Sequence, residues 1–304
     1  MQMAGIILKQ TITMGLYMLM GFTLYRTGKL TKEGSRCIAT MLLWLVLPVV
    51  IIRSFLKPFS MDNLSALGFS FLLGGVAHAV AMLLGWLFYR RDPLDCFSSA
   101  FSNVGFMGIP LVTAIFGPES PLYLCGLVVF VNFFQWTWGA SLLRKEKKPF
   151  VLKDVLLNPM LLAPMIGFAI FITGLGSHLP SVVTGALDGV AALNGPLAMI
   201  VLGVYLAQTE FKTLVTTRKL YLVSAVRLLI IPLATLLVLA LVPVSRDIRL
   251  IVLLGAAAPV GSNVAVYAQL YNSDYPYACQ TVALSTIFSI LSLPLIMQLA
   301  NMIL

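Results

Sequence analysis

The sequence predicts an all-α polytopic membrane protein with ten transmembrane helices in two five-helix repeats of inverted topology. The fourth and ninth helices are expected to be broken and to cross. Three observations lead there: the hydropathy, the alternation of basic residues between connections, and matched interruptions in the two halves. Of the 304 residues, 60% are hydrophobic and 10% are charged, and the mean hydropathy is +0.97. Soluble domains carry roughly 25% charged residues, which excludes a soluble core. The N-terminus lacks a basic region followed by a short apolar stretch and a cleavage site, so the first apolar run is expected to be retained.

Apolar runs long enough to span a bilayer fall at about 4–25, 35–56, 65–89, 95–116, 121–143, 158–176, 188–209, 218–242, 248–271 and 276–302. The connections alternate in charge. One set holds Arg26, Lys29, Lys32, Arg36, Arg90, Arg91, Arg144, Lys145, Lys147, Lys148, Lys153, Lys212, Arg218 and Lys219, fourteen basic residues in all. The other holds five, Lys9, Arg53, Lys57, Arg246 and Arg249, and Arg227 falls inside a span. Basic residues stay on the cytoplasmic side. Both termini are therefore expected outside. The net charge of +9 then reports orientation, and nucleic acid is not expected as a partner.

A basic linker at 144–157 divides the chain into halves 1–143 and 158–304. Each half has five spans, an odd number, so the two enter the membrane from opposite faces. The fourth span of the first half carries SNVGFMGIP, residues 102–110, and the fourth of the second carries PVGSNV, residues 259–264. At ~1.5 Å per residue, Asn103 lies ~12 Å and Pro110 ~22 Å into the bilayer, with Pro259 ~16 Å and Asn263 ~22 Å in from the other side. Matched interruptions near the midplane of both halves point to a substrate site at an inverted-repeat interface. The candidate binding residues are Ser102, Asn103, Gly105, Gly108, Pro110, Pro259, Gly261, Ser262 and Asn263.

Broken helices offer N-terminal ends that attract anions and C-terminal ends that attract cations, so the dipoles alone leave the sign of the substrate open. The ionisable residues favour an anion. All eleven acids fall in connections or at span ends, leaving no midplane carboxylate to neutralise sodium or relay protons. Arg227 lies ~13 Å inside the eighth span; it either meets an anion or bonds helix-end carbonyls. His78, in the third span, either carries a coupled proton or packs. Asn132 and Gln135, three residues apart on one helix face, serve as interhelical contacts or reach ligand. The cysteines Cys37, Cys96, Cys125 and Cys279 are far apart with no CxxC pair, so neither a metal site nor a disulfide framework is expected. There is no HExxH and no other catalytic constellation, so neither an enzyme nor a cofactor is expected.

Three stretches carry a resemblance to a known family: GFMGIPLVTAIFG (105–117), APVGSNVAVYAQLY (258–271) and LSTIFSILSLPL (284–295). With them the chain resembles the auxin efflux carrier family, which includes the plant PIN auxin exporters and bacterial malate and malonate permeases. The resemblance implies a scaffold built from the first two spans of each half and a mobile transport domain built from the other three. Its fourth and ninth spans would cross at their prolines, in an NhaA-like or bile-acid-symporter-like plan. Only about fourteen residues separate the halves here, so the long cytoplasmic loop of the plant exporters is missing. The expected function is elevator-like transport of a small organic anion, either a dicarboxylate or an auxin-like monocarboxylate, by a homodimer with proton coupling open. The alternatives are a sodium-coupled symporter of the bile-acid type and, further off, an anion channel.

Overall fold

The structure is a computed structural model that describes residues 2–144, 157–209 and 211–304, with backbone alone at 2–4 and 211. The expected basic linker at 144–157 lies almost wholly outside the described residues. Twelve helices matter here: α1 (Gln2–Arg26), α2 (Lys32–Ser54), α3 (Met61–Tyr89), α4 (Pro93–Ala100), α5 (Val104–Phe116), α6 (Ser120–Leu143), α7 (Pro159–Thr173), α8 (Ser181–Ala207), α9 (Arg218–Ala240), α10 (Arg246–Ala256), α11 (Asn263–Leu270) and α12 (Tyr275–Ile303). Seven of them, α1, α2, α3, α6, α8, α9 and α12, are long and apolar enough to cross a bilayer. The chain is therefore a multi-pass membrane protein. α5 and α7 are shorter apolar helices, and among the described residues there is no strand beyond one isolated bridge.

Several helices begin ahead of the apolar runs because their starts are capped by polar side chains. Thr31 Oγ1 accepts from Gly34 N–H ahead of α2, Ser60 Oγ from Asn63 N–H ahead of α3, and Asp274 Oδ1 from Tyr277 N–H ahead of α12. Such caps satisfy orphan donors of the first turn. Besides the π-turn at Gln135–Gly139 in α6, three helices contain one that runs up to a proline, at Leu42–Val46, Val104–Gly108 and Val226–Ile230. Each of these three ends two residues before its proline, Pro48, Pro110 or Pro232. A proline inside a helix removes one N–H and pushes its ring at the carbonyl four residues back, and the wider turn makes room for it.

Small residues set the packing. A methyl group at Gly21 of α1 would overlap the Ile200 backbone of α8, and one at Gly203 of α8 would overlap Met18 of α1. The same reciprocity joins α3 to α6 through Gly74 and Gly126. Close approach of this kind is how helices associate where burial from water offers no drive. The helices fall into two packed groups, α1, α2, α7 and α8 against α3–α6 and α9–α12. The seam runs where α1 and α8 meet α12 and where α6 meets α7.

Candidate functional site

Two chain breaks meet in the interior. Helix α4 stops at Ala100, Phe101 is extended, and α5 restarts at Val104; α10 stops at Ala256 and α11 restarts at Asn263. Ser102 and Val260 form an antiparallel bridge. Asn103 N–H donates to Pro259 O at 2.8 Å, and Gly261 N–H donates to Phe101 O at 2.9 Å. Val260 N–H donates to Ser285 Oγ of α12 at 3.2 Å. The backbone freed by the breaks is thus paired within the protein, as a lipid surrounding requires.

The four helix ends at this crossing are not equivalent. Arg227, on the π-turn of α9 and fully enclosed, reaches the C-terminal ends. Its Nη1 donates to Ser99 O at 2.9 Å, its Nε to Ala258 O at 3.0 Å, and its Nη2 to Ala256 O. One guanidinium therefore satisfies carbonyls from α4 and from the end of α10, and its charge offsets the negative poles of both. The N-terminal ends of α5 and α11, with their positive poles, are left facing a cavity on the other side of the crossing.

That cavity measures about 30 Å³ and is lined by Ser102–Phe106, Gly261–Asn263, Leu43, Leu47, Val131, Asn132, Gln135 and Met160. It has room for one or two waters, too little for an organic anion in this conformation. Asn263 Nδ2 donates to Gln135 Oε1 at 2.9 Å, Asn132 Nδ2 to Val128 O of its own helix at 2.8 Å, and Asn194 Nδ2 to Gly105 O at 3.2 Å. Asn103 Nδ2 is buried with no hydrogen-bond partner among the described residues. A buried donor left unpaired costs about 1–3 kcal/mol, and an acceptor brought into the cavity would relieve it.

Of the residues singled out in the sequence, Ser102, Asn103, Gly105, Gly261, Ser262, Asn263 and Asn132 line this cavity. Gly108, Pro110 and Pro259 do not line it but shape it. Gly108 lets α5 approach Gly255 of α10, Pro110 rests on Gly195 of α8, and Pro259 supplies a carbonyl to the bridge. Arg227 lies behind the crossing. His78 lies away from the cavity as well, its ring packed on Phe101 and Phe134 at 5.3 and 5.6 Å between centroids. Its Nε2 has no partner among the described residues.

The apolar wall of Leu43, Leu47, Val131 and Met160 was unreadable in sequence, since such residues also face lipid. Asn194 had a signal, a lone amide in an apolar stretch beside Gly195 and Pro196. One acid is more enclosed than its place at a span end suggests. Asp95 in the first turn of α4 is fully buried and pairs with Lys219 Nζ at 3.0 Å; it does not line the cavity.

Comparison with known proteins adds the family context. The sequence model described as "Membrane transport protein" matches residues 6–297. An uncharacterized transporter of Methanothermobacter thermautotrophicus is 25% identical over 296 residues, covering 91% of this chain and 93% of its own. A protein named "Putative malonate transporter" from Rhizobium meliloti is 24% identical over 287 residues, covering 88% of each chain.

Proposed function

The chain belongs to the membrane transport protein family, and from that premise we propose that it is a secondary carrier of small carboxylate anions working by alternating access. The carrying observation is the division of the four helix ends. Arg227 occupies the carbonyl ends of α4 and α10, so the poles presented to the cavity are positive. Beside them stand the unpaired amide of Asn103 and the side chains of Ser102, Ser262 and Asn263. This set supplies donors and a favourable field to a carboxylate. The relative from Rhizobium meliloti, named for malonate, makes a short dicarboxylate the first substrate to try.

In this reading the halves 1–143 and 158–304 are inverted repeats, and the ten spans form a scaffold (α1, α2, α7 and α8) and a transport domain (the other helices). The cavity lies on the seam between them and opens when one group slides against the other. Both termini face outward from the inner membrane, following the distribution of Lys and Arg. A monovalent anion leaving a negative-inside cell gains ~2.3 kcal/mol per 100 mV, so uniport suffices for export; uptake draws on a proton or on exchange. The scaffold would also hold the interface of a homodimer.

The test is uptake of radiolabelled malonate, malate and indole-3-acetate into liposomes under imposed voltage, pH or sodium gradients. Saturable carboxylate flux indifferent to sodium supports the proposal. Flux that requires sodium replaces it with the sodium-coupled symporter, and flux that does not saturate replaces it with a channel.

A further inference from the structure

We propose that a second carboxylate site lies in the vestibule next to the crossing, built on Lys32 and Arg36 and sharing Leu43 with the crossover cavity. The vestibule encloses about 570 Å³ on the seam between the two helix groups, with Lys32, Arg36 and Thr40 of α2 facing Gln208, Gln269 and Tyr275. Leu43, one turn beyond Ala39 and Thr40, borders both this chamber and the crossover cavity at the helix N-termini.

The chemistry of the walls suits a carboxylate. Lys32 and Arg36 are four residues apart on one helical face, roughly 5–6 Å between Cβ atoms. Neither is ion-paired with a carboxylate among the described residues. Lys32 Nζ sits 4.6 Å from the Tyr275 ring centroid, and Tyr275 Oη is 3.4 Å from Gln208 Oε1. The two cations outweigh the one acid in the wall, Glu33, and the amides of Gln208 and Gln269 add neutral donors. The 500 Å³ cleft beyond the other end of α2, lined mostly by α3, α6 and α10, has the reverse balance: Lys57 is tied to Glu119 at 2.9 Å, and Asp62 and Asp247 stand beside them. Charge of one sign in a narrow, low-dielectric space raises the local concentration of opposite ions and their arrival rate by ~10-fold or more. The vestibule therefore gathers carboxylates at the mouth that Lys32 and Arg36 place on the cytoplasmic side, and the opposite cleft does not. The identity of the gathered ligand as the transported one rests on the function proposed above.

The experiment reads the site without transport. Cys37, the exposed cysteine, is replaced by Ser, and Thr40→Cys supplies a reporter in the vestibule wall. Its rates with an anionic and a cationic methanethiosulfonate are compared, with and without millimolar malonate. The anionic reagent should be favoured by about tenfold over its ratio in a Lys32→Gln/Arg36→Gln background. Malonate should slow it only when both cations are present, and raised salt should erase the preference. Asn103→Ala should leave the protection intact. No charge preference, or malonate protection that survives Lys32→Gln/Arg36→Gln, overturns the site. Protection that persists while Asn103→Ala transports normally upholds the vestibule and overturns the crossover reading instead.

Discussion

Replacing Arg227 tests whether the guanidinium holds the crossing together or meets the transported anion. It is 1% exposed and donates to three backbone carbonyls, those of Ser99, Ala256 and Ala258. Arg227→Met keeps most of the stem volume and removes every donor. Three buried carbonyls then lose their partner, and each lost charge-assisted bond is worth about 1.5–3 kcal/mol. Some recovery by water and relaxation brings the net to about 4 kcal/mol, in the range found when one side of a buried polar pair is removed, roughly 3–5 kcal/mol. At roughly 2–4 °C per kcal/mol for a chain of this size, the melting temperature of detergent-purified protein should fall by about 8–16 °C. Arg227→Lys should recover only part of this, since one ammonium cannot span carbonyls from two helices as the planar fork does. The assay is thermal unfolding of both variants beside the saturation curve for malonate. A variant with unchanged melting temperature and a raised KM would refute the reasoning and move Arg227 into the binding site.

Other predictions follow from the packing and the connections. Gly203→Val drives a branched side chain into the Met18 backbone, so it should loosen α1 from α8 and cost about 1–3 kcal/mol or more, read as lower melting temperature with unchanged substrate selectivity. His78 touches two phenyl rings and does not line the crossover cavity, so His78→Gln should leave the pH profile of flux unshifted; a displaced profile would make it a proton carrier. Lys57 lies in the connection between α2 and α3. Burial lowers its pKa, but the hydrogen bonds and charge of Glu119 and Tyr123 outweigh this and leave it raised above 10.5. A raised folded pKa means stabilisation present in full below about pH 10.5 and lost as pH climbs through the higher folded value. The stability gap between the native chain and Lys57→Met, about 1 kcal/mol for a partly exposed pair, should hold from neutral pH upward and close only in strong alkali.

Much of this architecture is legible in the sequence because the lipid environment leaves few choices. Apolar runs mark the helices, and an Asn, a Gly and a Pro in the middle of such a run mark a break whose backbone must be paired or wet. The helix starts were less legible, since Thr31, Ser60 and Asp274 extend helices through polar residues by capping. The pairing of the breaks through Asn103, Pro259, Phe101 and Gly261 depends on how two distant segments approach, which no local pattern encodes. Arg227 shows the limit most clearly. Its burial was readable from its place in a span, but carbonyl and carboxylate partners call for the same guanidinium, and only the geometry of α4 and α10 distinguishes them. Leu43, Leu47 and Met160 were illegible because an apolar side chain facing a substrate cavity has the same composition as one facing lipid.

The central claim is that the crossing of the two breaks is where the carboxylate sits. Its most direct test is malonate flux by Asn103→Ala and Asn263→Ala in liposomes, each normalised to folded protein by thermal unfolding. Both variants lose a side chain that lines the cavity, and neither removes a backbone bond of the bridge. The account predicts that both fold, Asn103→Ala within about 1 kcal/mol of native stability and Asn263→Ala about 1–3 kcal/mol below it because the buried Gln135 Oε1 loses its donor. It also predicts that saturable flux per folded protein falls at least tenfold in each, the equivalent of about 1.4 kcal/mol or more of lost interaction. Native flux from two well-folded variants would contradict it and reduce the paired asparagines to helix packing.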